Sequence, residues 1–147
     1  MSRERIYLDY NASAPLCAEA RAAMCAAMDL TGNPSSVHGE GRKARAAVEE
    51  ARVAVAALVG ARPSEVVFTS GAAEANAWAI GAGGWTSVVA SAIEHDSVLA
   101  AIRAGAADHV AVPATRDGVV DLAALEALLR DSGPPARTLL TLQTANN

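Results

Sequence analysis

From Glu65 to Leu142 the chain repeats one pattern, in which a short apolar run is followed by a turn of small residues and then by a stretch of helical composition. Glu65–Phe68, Ser87–Ala90, His109–Val112 and Thr138–Leu142 read as strands, and Ala72–Gly81, Ser97–Ala104 and Leu122–Arg130 read as helices. Few topologies accommodate that order. Strands joined through helices run parallel, and the helices then cover the sheet. Val88-Val89-Ala90 and Leu139-Leu140-Thr141-Leu142 are nearly continuous apolar runs rather than alternating ones, as expected where both faces of a sheet are buried. The expected fold class is α/β, a mostly parallel sheet flanked by helices.

The N-terminal part has a different texture. After Ile6-Tyr7-Leu8, the run Pro15–Met28 is rich in Ala, Met and Glu with Pro at a plausible first turn, which suits a helix. Thr31-Gly32-Asn33-Pro34-Ser35-Ser36 breaks it. Between His38 and Leu58, the residues Ala44, Val48, Ala51, Val55 and Leu58 recur at three- and four-residue steps while Lys43, Glu49, Glu50 and Arg52 lie off that stripe, so an amphipathic helix is expected. Gly60 ends it, and Arg62-Pro63-Ser64 turns the chain toward the first strand. Cys17 and Cys25 lie eight residues apart in one expected helix, too far along its axis for a disulfide and without metal-motif spacing; they read as small buried residues in a reducing compartment.

Composition narrows the function classes. At 147 residues, with 52% hydrophobic and 19% charged residues, the chain has one domain's worth of polymer and can bury a core. A net charge of −4 leaves no basic surface for a phosphate backbone, so a nucleic-acid partner is not expected. No apolar run approaches the ~18 residues of a membrane span, and Met-Ser-Arg-Glu-Arg lacks the apolar segment of a signal peptide, so a cytoplasmic protein without a membrane partner is expected. No repeat, low-complexity tract or dividing linker is visible.

In an open α/β sheet, ligands lie at the carboxyl ends of the strands, and three such ends carry polar chemistry. Thr69-Ser70-Gly71-Ala72-Ala73-Glu74-Ala75-Asn76 opens a helix: small residues let backbone approach a ligand and free amides attract an anion, although an ordinary Ser or Thr cap with a flexible Gly reads equally well. Ala90-Ser91-Ala92-Ile93-Glu94-His95-Asp96 places a titratable imidazole at the mouth of the sheet, where it either exchanges protons and stacks on a planar ligand or serves as a satisfied structural histidine. Gln143-Thr144-Ala145-Asn146-Asn147 brings amide side chains to the same edge, and the chain stops there. A segment of a longer protein is the expectation.

Read in order, these ends join Tyr7-Leu8-Asp9-Tyr10-Asn11-Ala12, Gly32-Asn33-Pro34-Ser35-Ser36 with His38, Val98-Leu99, and Asp117-Gly118 with Asp121-Leu122. Together they resemble the ordered motif string of the cysteine desulfurases, which belong to the class V aminotransferase-like, fold-type I enzymes that use pyridoxal phosphate. The resemblance runs over essentially the whole chain. It implies that residues 1–147 are an N-terminal, incomplete segment of the large cofactor-binding domain. In full, such an enzyme takes sulfur from L-cysteine, leaves alanine and passes a persulfide to a sulfur-acceptor protein for iron–sulfur cluster or thio-cofactor assembly, commonly as a homodimer. Selenocysteine lyase, another class V activity, and a noncatalytic truncated module that binds a partner are the alternatives.

The same resemblance assigns roles to matching positions. Main-chain amides at Ala72 and Ala73 correspond to the phosphate-binding turn, His95 to the histidine that stacks on the pyridine ring and moves a proton, and Asn147 to the amide beside the phenolic oxygen of the ring. No metal site is implied. Ala73 stands where the family usually has Thr, so a hydroxyl contact to the phosphate is missing. The aspartate that pairs with the ring nitrogen, the lysine that anchors the cofactor and the persulfide cysteine have no match, and the only lysine, Lys43, falls on the polar side of the long helix. The chain alone is expected to be inactive, with cofactor binding in doubt.

Overall fold

The computed structural model describes residues 5–105, 107–131 and 137–145. It divides into two compact units, Met1–Phe68 and Thr69–Asn147.

The first unit is helical. Helix α1 spans Ala18–Met28, with Cys17 at its N-cap. Both cysteines are exposed rather than buried, which corrects the expectation drawn from the general habit of free Cys. Helix α2, Gly39–Val59, starts on the ring of His38, which accepts the Gly41 amide, and ends on Gly60 in the left-handed conformation. The turn between the helices is tight: a Cβ on Gly32, whose φ is +138°, would meet the Glu40 carbonyl oxygen at 2.6 Å. Only glycine fits such an approach.

The expected strand Glu65–Phe68 is not one. Pro63–Glu65 is a single 3-10 turn, and Val66 continues in extended backbone with φ −94° and ψ 126° but pairs with no strand among the described residues. In place of a strand partner, Val66 has Arg52, whose guanidinium donates to the Val66 carbonyl at 2.6 Å and lies 5.0 Å from the centre of the Phe68 ring. A side chain of α2 takes the acceptor that a neighbouring strand would use.

The second unit carries the sheet. Helix α3 (Ala72–Gly81), strand β1 (Ser87–Ser91), helix α4 (Asp96–Ala104), strand β2 (Asp108–Val112), helix α5 (Leu122–Asp131) and strand β3 (Thr138–Thr141) follow in turn. All pairings are parallel, in the order β2-β1-β3. Chain direction across the sheet reverses after β2, so two right-handed crossovers put α4 and α5 on opposite faces. The packing agrees. Val88 and Ala90 of β1 meet Ile80, Val98 and Ile102 of α3 and α4, whereas Val89 meets Val112 of β2 and Leu125 of α5. Central β1 is thus buried on both faces, as its apolar run implied. Edge strand β3 is less so, and Leu140 is 41% exposed.

Candidate functional site

Two helix N-termini meet at the carboxyl edge of this sheet. Helix α4 begins directly beyond the end of β1, and α3, which returns the chain to the start of β1, has its own N-terminus at that same edge. A bridge between them fixes the pairing: Asn76 Nδ2 in α3 donates to Ser97 Oγ in α4 at 2.9 Å.

At α3 the helix ladder opens with the Ala75 amide on the Gly71 carbonyl, so the amides of Ala72, Ala73 and Glu74 precede it and have no carbonyl of the helix to bond. Gly71, the N-cap, supplies no side chain in competition, and a Cβ added there would meet nothing within 4 Å. The space before the helix is open. The Glu74 carboxylate instead folds back onto Ser70, accepting from its amide at 2.6 Å and its hydroxyl at 2.7 Å. Those bonds, the amide first and the hydroxyl second, hold the Glu74 carboxyl below the usual carboxylate range. Ser70 is therefore occupied, and the anion-binding capacity of this turn rests on main-chain amides. The cap is a glycine, and neither Ser70 nor Thr69 caps the helix with its side chain.

At α4 the cap is His95 itself. Its Nδ1 accepts the Ser97 amide at 3.1 Å and lies 2.8 Å from Ser97 Oγ. The ring is exposed, and its other nitrogen, Nε2, makes no hydrogen bond among the described residues. The helix begins at Asp96, one residue before the Ser97 start that the sequence implies, and the histidine caps it.

The third expected end behaves differently. Gln143 turns inward, its side-chain amide donating to the Ile93 carbonyl and its backbone amide to Glu94 Oε1 at 2.9 Å. Glu94 is 7% exposed, so this buried carboxylate ties the segment after β1 to the segment after β3. Beside it lies a cavity of about 260 Å³ lined by residues that follow all three strands, among them Ile93, Val120 and Thr144. Asn147, the last of the expected site residues, lies outside the described residues.

Ala72, Ala73 and His95 are thus brought to one edge. Ser97 and the inward turn of Gln143 were not legible beforehand, although a Ser two residues past a candidate cap is a common hydrogen-bonding partner of helix starts. Among the described residues, no cluster of His, Cys, Asp and Glu could hold a metal ion, and no helix is long and apolar enough to cross a membrane. Two such N-termini could hold a phosphorylated, planar group, its anion on the free amides and its ring on the exposed imidazole.

Comparison with known proteins gives the same direction. The family profile of class V aminotransferases matches residues 6–147. An IscS-like cysteine desulfurase of Mycobacterium tuberculosis is 36% identical, with 96% of this chain and 39% of that protein covered. A selenocysteine lyase of Bos taurus is 31% identical over 97% of this chain and 38% of its own. Among solved structures, a NifS-like protein from Rickettsia africae superposes with a TM-score of 0.82 at 30% identity, over 97% of this chain and 40% of that one. The chain spans about two fifths of the length of these relatives.

Proposed function

The chain belongs to the class V aminotransferase family, and from that premise we propose that it is the N-terminal segment of the pyridoxal phosphate-binding large domain of a cysteine desulfurase. One observation carries the reading: Asn76 and Ser97 join the N-termini of α3 and α4, so that free amides and an exposed imidazole share one edge of the sheet. The relatives named cysteine desulfurase and NifS-like protein, each matched over nearly all of this chain, support it.

In this reading the amides of Ala72 and Ala73 hold the cofactor phosphate, and Ala73 adds no side-chain contact. His95 presents its ring face and Nε2 toward the cofactor and substrate, orienting the one and moving a proton for the other. Asn147 contacts the ring beside its phenolic oxygen. When bound, pyridoxal phosphate supplies the electron sink that acidifies the α-hydrogen of an amino acid. Lys43 is exposed on α2 and does not match the family's anchoring lysine, so the covalent anchor is not assigned to it. Cys17 and Cys25 belong to α1 and its cap and do not match the persulfide-carrying loop. The complete enzyme would act in the cytoplasm on L-cysteine, as a homodimer, and deliver sulfur to an acceptor protein. Selenocysteine lyase is the rival, since its relative is matched over as much of this chain at somewhat lower identity.

Joining this chain to the part of the M. tuberculosis relative that the match leaves uncovered, and assaying alanine release from L-cysteine with pyridoxal phosphate, tests the proposal. Alanine should form with the joined protein and with neither piece alone. A folded, cofactor-loaded joined protein that releases none would contradict it.

A further inference from the structure

The relay Asn76–Ser97–His95 runs in one direction. Asn76 Nδ2 is a donor, so at 2.9 Å the Ser97 oxygen accepts from it, and the hydroxyl proton is left to point at His95 Nδ1, 2.8 Å away. The Ser97 amide, also a donor, reaches the same nitrogen at 3.1 Å. Two donors converge on Nδ1. A nitrogen in that position carries a lone pair, and the ring proton of neutral His95 therefore sits on Nε2. The other capping histidine differs: His38 Nδ1 meets the Gly41 amide at 3.3 Å but also the Glu40 carboxylate at 3.1 Å, a donor and an acceptor that ask for opposite tautomers.

We infer that Asn76 and Ser97 are positioning residues for His95, which together hold its imidazole orientation and keep it in the Nε2–H tautomer. Asn76 never touches the ring; it acts by committing the Ser97 oxygen as an acceptor, so that the hydroxyl becomes a donor. The consequence for the site rests on the proposed role of His95 at the cofactor. A ring held this way offers a hydrogen-bond donor, Nε2–H, toward whatever lies beyond the edge of the sheet, and its protonation at Nδ1 would break the cap of α4. The helix start and the state of the ring are coupled.

The tautomer can be read without cofactor or substrate. Long-range ¹⁵N–¹H correlation spectra of the uniformly labelled chain at alkaline pH, with His38 and His109 assigned by substitution, report the proton position on each ring. His95 should be Nε2–H to a greater extent than a free histidine peptide. Ser97→Ala should move the tautomer ratio toward that of the peptide on the order of 2- to 10-fold, the yield of one hydrogen bond. Ser97→Thr, which keeps the hydroxyl, should restore it. Asn76→Asp has the most specific outcome: a carboxylate accepts the Ser97 proton and turns the Ser97 oxygen into an acceptor for the ring, so that only the Ser97 amide still favours the lone pair on Nδ1 and the Nε2–H share should fall below that of the wild type. Amide spectra establish that each variant is folded, and if Ser97→Ala is not, Asn76→Asp and Ser97→Thr decide alone. A wild-type ratio equal to that of the peptide, or a ratio that Asn76→Asp leaves unmoved, overturns the inference. Because no cofactor is involved, that failure would leave the proposed function standing, and an inactive joined enzyme would leave the relay standing.

Discussion

At Ala73 one methyl group stands where the resemblance to the cysteine desulfurases implies a hydroxyl, at a position whose backbone amide is unsatisfied within α3. Ala73→Thr should therefore tighten retention of pyridoxal phosphate in the joined enzyme by about 0.5 to 1.5 kcal/mol, the net value of an ordinary hydrogen bond, as measured by dialysis against cofactor-free buffer. Looser retention would remove Ala73 from the phosphate turn. Lys43 makes the opposite kind of claim. Exposed on a helix of the first unit, it is not held in a pocket as a Schiff-base lysine needs to be. Borohydride treatment of the chain with pyridoxal phosphate, followed by peptide mapping, should yield only substoichiometric labelling of Lys43 and the α-amino group; a stoichiometric adduct on Lys43 would contradict this account.

The start of α3 is pH-sensitive for a reason that can be isolated. Glu74 has its carboxyl held below the usual range by Ser70, so the bonds stabilise the fold above the ordinary carboxylate pKa of about 4.3 and are lost as pH falls through the depressed folded value. Thermal melts of wild type and Glu74→Gln should differ at neutral pH and converge as the solution is acidified. A difference that persists in acid would mean that the carboxylate charge is not the cause. In the core, Ile102 of α4 is 4% exposed against Val88 and Ala90, and Ile102→Ala should cost about 2 to 5 kcal/mol in denaturant unfolding. The alternation of short apolar runs with stretches of helical composition located α3 well, because its helical composition starts directly after Gly71 and runs to Gly81. It failed at Glu65–Phe68. β-propensity reports a residue's fit to extended backbone, and Val66 is extended, but strand formation needs a partner and Arg52 occupies the carbonyl. The α2 stripe shows the same gap between pattern and partner: Ala44 is buried, yet Leu58 is 85% exposed. Strand-end reasoning placed the segments 69–76 and 90–96 at one edge, the second directly after β1 and the first at the start of α3 although no strand precedes it, whereas the assignment of Ala72, Ala73 and His95 within them rests on the resemblance. Ser97 escaped both, because its partner Asn76 is set by how α3 packs on α4.

Each unit leaves apolar surface uncovered. In the first, a groove of about 520 Å³ is lined by Leu30, Pro34, Ala44, Val48 and Phe68. In the second, β2 and β3 each pair on one side only among the described residues, and an unpaired edge templates association with other chains. The isolated chain should self-associate, with sedimentation coefficients that rise with concentration; a monomer with a cooperative melt would mean that both units close their own cores. The claim that binds all three scales is a division of labour, in which the N-terminus of α3 holds the phosphate and that of α4 presents the imidazole. His95→Ala in the joined enzyme tests it most directly, with turnover of L-cysteine and cofactor retention measured on the same preparation. Turnover should fall ~100- to 10,000-fold, the usual worth of a positioned acid–base group, while the amides keep the cofactor bound. Undiminished turnover, or loss of the cofactor in step with the loss of turnover, would contradict it.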